Sequence, residues 1–95
     1  MAEDLVSLRI KIEGVVQGVG FRAFAVREAE ARNLNGWVRN RLDSTVEMLA
    51  SGERKDIEAF ISACIRGPMG AHVANIDLFA ATPPEQTGFS MCPSL

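Results

Sequence analysis

The sequence predicts an α+β domain in which two helices pack on one face of a four- to five-stranded antiparallel sheet. Three observations support this class: a segment of strict apolar alternation near the start, two segments with helical apolar spacing, and two short β-branched runs separated by a turn. Their order is strand, helix, strand, strand, helix, strand, which is the ferredoxin-like βαββαβ sandwich. Because 95 residues suffice for one hydrophobic core, we expect a single domain over residues 1–95.

The first strand is predicted over residues 6–13, where apolar and polar residues alternate strictly. Residues 14–20 contain three glycines, which favour unusual backbone angles and end the strand in a loop. Residues 21–32 are rich in Ala, Glu and Arg, with apolar residues at helical spacing. We therefore predict a helix that begins at Phe21 and ends near Asn33.

A β-hairpin is predicted next, because residues 36–40 and 45–50 are aromatic or β-branched and a turn-forming segment separates them. The second helix is predicted from apolar residues at i, i+3, i+4, i+7 and i+8, which are Ile57, Phe60, Ile61, Cys64 and Ile65. Residues 73–79 predict a fourth strand. Residues 89–92 predict a short fifth strand, whose length Pro93 limits.

The composition disfavours several classes of function. A formal net charge of −2 provides no overall positive field, which weakens a nucleic-acid or lipid-binding interpretation. The acidic N-terminus precedes alternating rather than continuous apolar residues, so neither a signal peptide nor a membrane span is indicated, and we expect a cytoplasmic protein. Cys64 and Cys92 are not spaced as a Cys-x-x-Cys motif, and His72 has no ligand cluster nearby. We expect neither a metal nor a cofactor.

The glycine-rich loop that leads into the first helix is a candidate anion site. Such a loop turns backbone N–H groups toward one point, and the helix N-terminus adds unsatisfied N–H groups with positive dipole character. Arg22 lies in the first helical turn, where a positive charge is unfavourable unless an anion compensates it. On spacing alone an alternative stays open, in which the glycines only form a tight turn and Arg22 points into solvent.

Two motifs resemble the signatures of the acylphosphatase family. Residues 14–22, Gly-Val-Val-Gln-Gly-Val-Gly-Phe-Arg, are similar to the family pattern Gly-x-Val-Gln-Gly-Val-x-Phe-Arg. Residues 36–40, Gly-Trp-Val-Arg-Asn, resemble the second signature. The likeness extends over about residues 8–76 and departs at Ser44, where the family usually has glycine. If the backbone there has positive φ, serine costs about 1 kcal/mol.

The resemblance implies a metal-independent enzyme that hydrolyses the carboxyl-phosphate bond of acyl phosphates, with water as nucleophile and no cofactor. It assigns the catalytic roles to Arg22, which holds the phosphoryl group, and to Asn40, which places the water. The partner is then a small-molecule acyl phosphate rather than nucleic acid or a membrane, and we expect a monomer. The implied phosphate-binding residues are Val16, Gln17, Gly18, Val19, Gly20, Phe21 and Arg22.

These residue types suit that chemistry. The departing carboxylate is a weak base, so no general acid is needed, and phosphoryl transfer depends mainly on positioning and on stabilising the phosphoryl charge. Arginine offers paired donors in a planar fork. Asn40 cannot act as a base at neutral pH, but its amide can orient a water, whose proton we expect to pass to a phosphoryl oxygen of the substrate.

Alternatives from other classes remain at this point. Residues 17–24 loosely imitate the aromatic octamer of RNA-binding RRM domains, but Val19 stands at the first aromatic position and the segment enters a helix. A regulatory small-ligand module, or a domain that handles carbamoyl phosphate for a larger enzyme, is the second alternative. Asp43 and Glu47 flank the predicted hairpin turn, and we expect both carboxylates to be solvated. No residue outside the loop identifies the acyl group.

Overall fold

The computed structural model describes residues 4–95. Two helices and five strands follow one another along the chain in the predicted order. Neither helix in the described part of the chain is long and apolar enough to cross a membrane. The elements are β1 (Leu5–Val15), α1 (Phe21–Ala31), β2 (Asn35–Asn40), β3 (Val46–Glu53), α2 (Arg54–Arg66), β4 (His72–Ala80) and β5 (Phe89–Met91).

The five strands form one sheet in the order β4-β1-β3-β2-β5. The prediction of a purely antiparallel sheet is wrong, because β5 pairs with β2 in parallel from Gly36↔Phe89 to Val38↔Met91, while the other pairs are antiparallel. β4 lies at one edge and runs opposite to β2. The eight residues from 81 to 88 lead from the end of β4 to the opposite edge, and the chain reverses as it enters β5. β5 therefore runs in the direction of β2.

The core lies between the helices and one face of the sheet. The alternation predicted for β1 is confirmed, since Ile10 and Ile12 are fully buried on the face that meets the helices. From α1 the core receives Phe21, Ala25 and Ala29. From α2 it receives Ile57, Phe60, Ala63 and Cys64. Burial of Cys64 raises the pKa of its thiol to about 12. These helices are thus fixed over the sheet by a continuous apolar layer.

One strand boundary and the burial of one helical residue differ from the prediction. β1 runs to Val15 rather than ending before Gly14, because the chain forms a bulge between Glu13 and Gly14 and then continues to pair with β4. Gly14 has φ 131°, an angle available to glycine but strained for other residues. In α2, Ile65 is 50 % exposed although its spacing is helical. A residue at i+8 lies about 80° around the helix from the first, which turns Ile65 away from the core.

Candidate active site

The loop between β1 and α1 has the backbone conformation of an anion site. Gly18 and Gly20 adopt left-handed angles, with φ 77° and 78°. Gly20 is the N-cap of α1 and has no side chain to cap the helix, and the first helical turn contains no acidic residue. Within the described residues, the N–H groups of residues 17–23 make no backbone–backbone hydrogen bond. These donors remain available to a bound anion.

Arg22 and Asn40 line one cavity of about 210 Å³ between this loop and the end of β2. Arg22 is the second residue of α1 and Asn40 is the last residue of β2, so two elements separated in sequence supply the site. Within residues 4–95 the Arg22 guanidinium makes no hydrogen bond or salt bridge to the protein. Its charge therefore remains uncompensated beside the loop. The cavity is lined by Val16, Gly18, Gly20, Phe21, Arg22, Ala23, Asn40 and Met91.

Asn40 carries an unsatisfied acceptor. Its Oδ1 is buried and has no hydrogen-bond partner among the described residues. Leaving such a group unpaired costs about 1–3 kcal/mol, so a water or ligand that donates to it binds favourably. The main chain of Asn40 is held firmly, because it pairs with Val46 in β3 and its carbonyl accepts a hydrogen bond of 3.0 Å from the N–H of Leu95. The residue is thus fixed while its side-chain oxygen is left without a partner.

Gln17 and Val19 belong to the loop but are absent from the cavity lining. The Gln17 side chain instead donates to the carbonyl oxygens of Arg41 and Thr45, at 2.8 and 2.9 Å. Val19 is partly buried and packs against the hydrophobic core. Any contribution of these two residues to phosphate binding is therefore confined to their backbone.

A family model described as Acylphosphatase matches residues 8–91. The chain belongs to the acylphosphatase family. It is 44 % identical over 89 residues to the acylphosphatase of Rhodospirillum rubrum, with 94 % of this chain and 98 % of that protein covered. The crystal structure of acylphosphatase from Bacillus subtilis superposes with a TM-score of 0.86 at 39 % identity, covering 93 % of this chain and 98 % of that one.

The same acylphosphatase fold also occurs inside a longer protein. Full-length HypF, in its phosphate- and nucleotide-bound form, superposes with a TM-score of 0.89 at 34 % identity. The match covers 99 % of this chain but 12 % of HypF. A fold like that of this chain therefore accounts for nearly the whole of one solved chain and for a small part of another.

Met91 and Ala23 line the cavity of this acylphosphatase although the motifs did not indicate them. Met91 is 47 % exposed at the end of β5. A short strand is predicted at residues 89–92, but the position of this strand next to the site depends on its parallel pairing with β2, which no local pattern encodes. Ala23 follows Arg22 and comes to the cavity with the first turn of α1.

The two carboxylates that flank the hairpin turn, Asp43 and Glu47, lie outside the cavity and contact other protein groups. The expectation of a solvated Glu47 is wrong, because its side chain is 12 % exposed and its carboxylate lies within 3.0 to 3.4 Å of the Arg9, Arg39 and Arg41 side chains. Asp43 is exposed and accepts hydrogen bonds from the Thr45 hydroxyl and N–H, which lower the pKa of its carboxyl. Residues 4–95 contain no group of three His, Cys, Asp or Glu placed to hold a metal.

Proposed function

We propose that this acylphosphatase hydrolyses acyl phosphates through Arg22 and Asn40, with the loop of residues 16–22 as the phosphate cradle. The observation that carries the assignment is the shared cavity, which joins an uncompensated guanidinium to a buried amide oxygen without a partner. An anion and a water would satisfy these two groups respectively. The open N–H groups of residues 17–23 add donors for the phosphoryl oxygens.

The proposed reaction is a single displacement at phosphorus. The oxygen of a water held by Asn40 forms a bond to phosphorus as the bond from phosphorus to the carboxylate oxygen breaks, and the carboxylate leaves with the bonding electron pair. The water proton passes to a phosphoryl oxygen, because the cavity lining includes no carboxylate or imidazole that could accept it. Arg22 and the loop N–H groups stabilise the phosphoryl charge throughout.

The proposal also covers the domain extent, oligomeric state, location and partners of the protein. We expect one functional domain over residues 1–95, a monomer, a cytoplasmic location and no nucleic-acid partner. The last point is supported by the fold, since the segment that resembles an RRM octamer forms a loop and a helix start rather than a strand. Salt-dependent RNA binding would overturn it.

The direct test is steady-state hydrolysis of an aromatic acyl phosphate with chelator present, using inorganic phosphate as competitor. For Arg22→Ala we expect kcat to fall by about 100- to 1,000-fold and the phosphate inhibition constant to rise, because the main charge partner is lost. For Asn40→Ala we expect kcat to fall on the order of 100-fold while phosphate inhibition stays nearly unchanged, since orientation of the water is lost.

Arg27→Ala is the matched control, because it removes an equal charge from an exposed position of the same helix. Its kinetics should stay at the wild-type level. A folded Arg22→Ala protein with full activity would contradict the assignment.

The similarity to HypF favours a second candidate function, in which the domain handles a phosphate compound for a larger assembly. Hydrolysis by the isolated chain would then be slow or incidental. Absence of turnover by folded wild-type protein that still binds phosphate would support this candidate and exclude the first.

A further inference from the structure

The Gln17 side chain connects the loop to the hairpin that carries Asn40. Its Nε2 donates to the carbonyl oxygen of Arg41 at 2.8 Å and to that of Thr45 at 2.9 Å. A primary amide has two N–H groups, and here both are engaged. Arg41 directly follows Asn40, so these bonds attach the loop next to the residue proposed to hold the water.

The hairpin does not need Gln17 to satisfy its own carbonyl groups. The Thr45 oxygen already accepts a bond of 2.8 Å from the N–H of Arg41, and the Arg41 oxygen accepts one of 3.2 Å from the N–H of Ser44. Each carbonyl has two lone pairs, and Gln17 occupies the second of each. Removing its amide therefore leaves the hairpin bonds in place and breaks only the connection to the loop.

That connection has no parallel elsewhere in the site. Within residues 4–95, no other hydrogen bond joins residues 16–20 to residues 40–45. The loop contains two left-handed glycines and belongs to the segment between β1 and α1, whereas Asn40 ends β2. The phosphate cradle and the water-holding amide are thus on separate elements that the Gln17 side chain links.

We propose that Gln17 is a positioning residue, which acts through Asn40 by fixing the distance between the phosphate-binding loop and the attacking water. This inference rests on the proposed role of Asn40. Ground-state phosphate binding uses Arg22 and the loop N–H groups, and these remain when the link is broken. In-line attack requires the water and the phosphorus to keep their relative positions. Loss of the Gln17 amide should therefore lower kcat and spare phosphate affinity.

The test is Gln17→Met, which keeps an unbranched side chain of similar length and removes both donors. We expect kcat to fall by about 10- to 100-fold, with phosphate inhibition changed by less than about twofold. Asp43→Ala is the control, because it removes the Asp43 bonds to Thr45, of 2.6 and 3.1 Å, and loosens the same turn without touching the loop. Its kcat should stay within about threefold of wild type.

A double-mutant cycle with Asn40→Ala separates positioning from general destabilisation. Because Gln17 acts through Asn40, adding Gln17→Met to Asn40→Ala should lower kcat by less than about twofold further. An undiminished further loss, a wild-type kcat in Gln17→Met, or a parallel loss of phosphate affinity would overturn the inference. Should Gln17→Met fail to fold, Gln17→Asn, whose amide is one methylene too short, enters the same cycle with the same expectations.

The two proposals fail in different ways. An Asn40→Ala enzyme with wild-type kcat would contradict the role of Asn40 and hence the proposed function. An impaired Asn40→Ala enzyme together with an unimpaired Gln17→Met enzyme would contradict only the positioning role.

Discussion

At the scale of single residues, Ser44 stores backbone strain in the hairpin turn. Its φ is 75°, in the left-handed region where a Cβ atom costs about 1–2 kcal/mol. For Ser44→Gly we expect the free energy of unfolding to rise by about 0.5–1 kcal/mol, because relief of this strain exceeds the added entropy of the unfolded chain. Urea denaturation at constant m-value measures the change.

Asn33 provides the comparison for Ser44. It also has positive φ, 57°, but asparagine tolerates the left-handed region better than serine does. Asn33→Gly should therefore stabilise the protein less than Ser44→Gly. An equal gain in both variants would show that serine is not specially strained.

The glycine pattern of the loop indicates an anion site beside Arg22, whereas Asn40 is assigned only by the resemblance of residues 36–40 to the second acylphosphatase signature. Gly18 and Gly20 both take positive φ, so a loop of this shape leaves a recognisable glycine pattern in front of the arginine. The contacts of Gln17 cross 24 and 28 residues, and no local pattern encodes them. The pairing of Glu47 escapes prediction for the same reason, since Arg9, which lies 38 residues away, comes from another strand.

At the scale of elements, the bulge at Gly14 extends β1 toward the loop that we propose binds phosphate. A Cβ added there would lie 2.1 Å from the carbonyl oxygen of His72 and 2.8 Å from the nitrogen of Ala74, so the backbone of β4 would have to move. For Gly14→Ala we expect a loss of about 2–4 kcal/mol in the free energy of unfolding, from the positive φ together with the clash. Thermal or urea unfolding measures it.

Gly88→Ala separates the cost of the positive φ from the cost of the clash with β4. Gly88 has φ 87°, and a Cβ there would meet no atom within 4 Å, so only the backbone angle is penalised. Its cost should be about 1 kcal/mol. If Gly14→Ala cost no more than Gly88→Ala, the close approach of β4 would be refuted.

Local sequence patterns predicted the two helices and five strands of the described residues, but they could not predict how the last strand pairs. The direction of β5 depends on how the chain returns from β4, at one edge of the sheet, to form the other edge beside β2. That path is decided by connection length and sheet order, which are long-range properties. The same pairing brings Met91 to the cavity. The parallel direction of β5 and the place of Met91 at the site therefore escape prediction for one reason.

At the scale of the whole molecule, the proposed anion site lies in a protein whose net charge is −2. The positive potential is therefore local, supplied by Arg22, the start of α1 and the open loop N–H groups. At physiological ionic strength, salt largely screens the interaction between exposed charges more than about 8 Å apart, whereas it weakens short, partly buried contacts much less. We therefore expect phosphate to bind at physiological salt even though the net charge of the protein does not attract it.

Binding of this kind must stabilise the fold, because the unfolded chain has no assembled loop. We expect inorganic phosphate at about 100 times its dissociation constant to raise the free energy of unfolding by about 2.7 kcal/mol. Thermal unfolding with phosphate, compared with sodium chloride at equal ionic strength, measures the gain. Arg22→Ala should lose most of it and Arg27→Ala should retain it, whereas a shift that is the same in all three proteins would mean that phosphate acts as a general salt and not at this site.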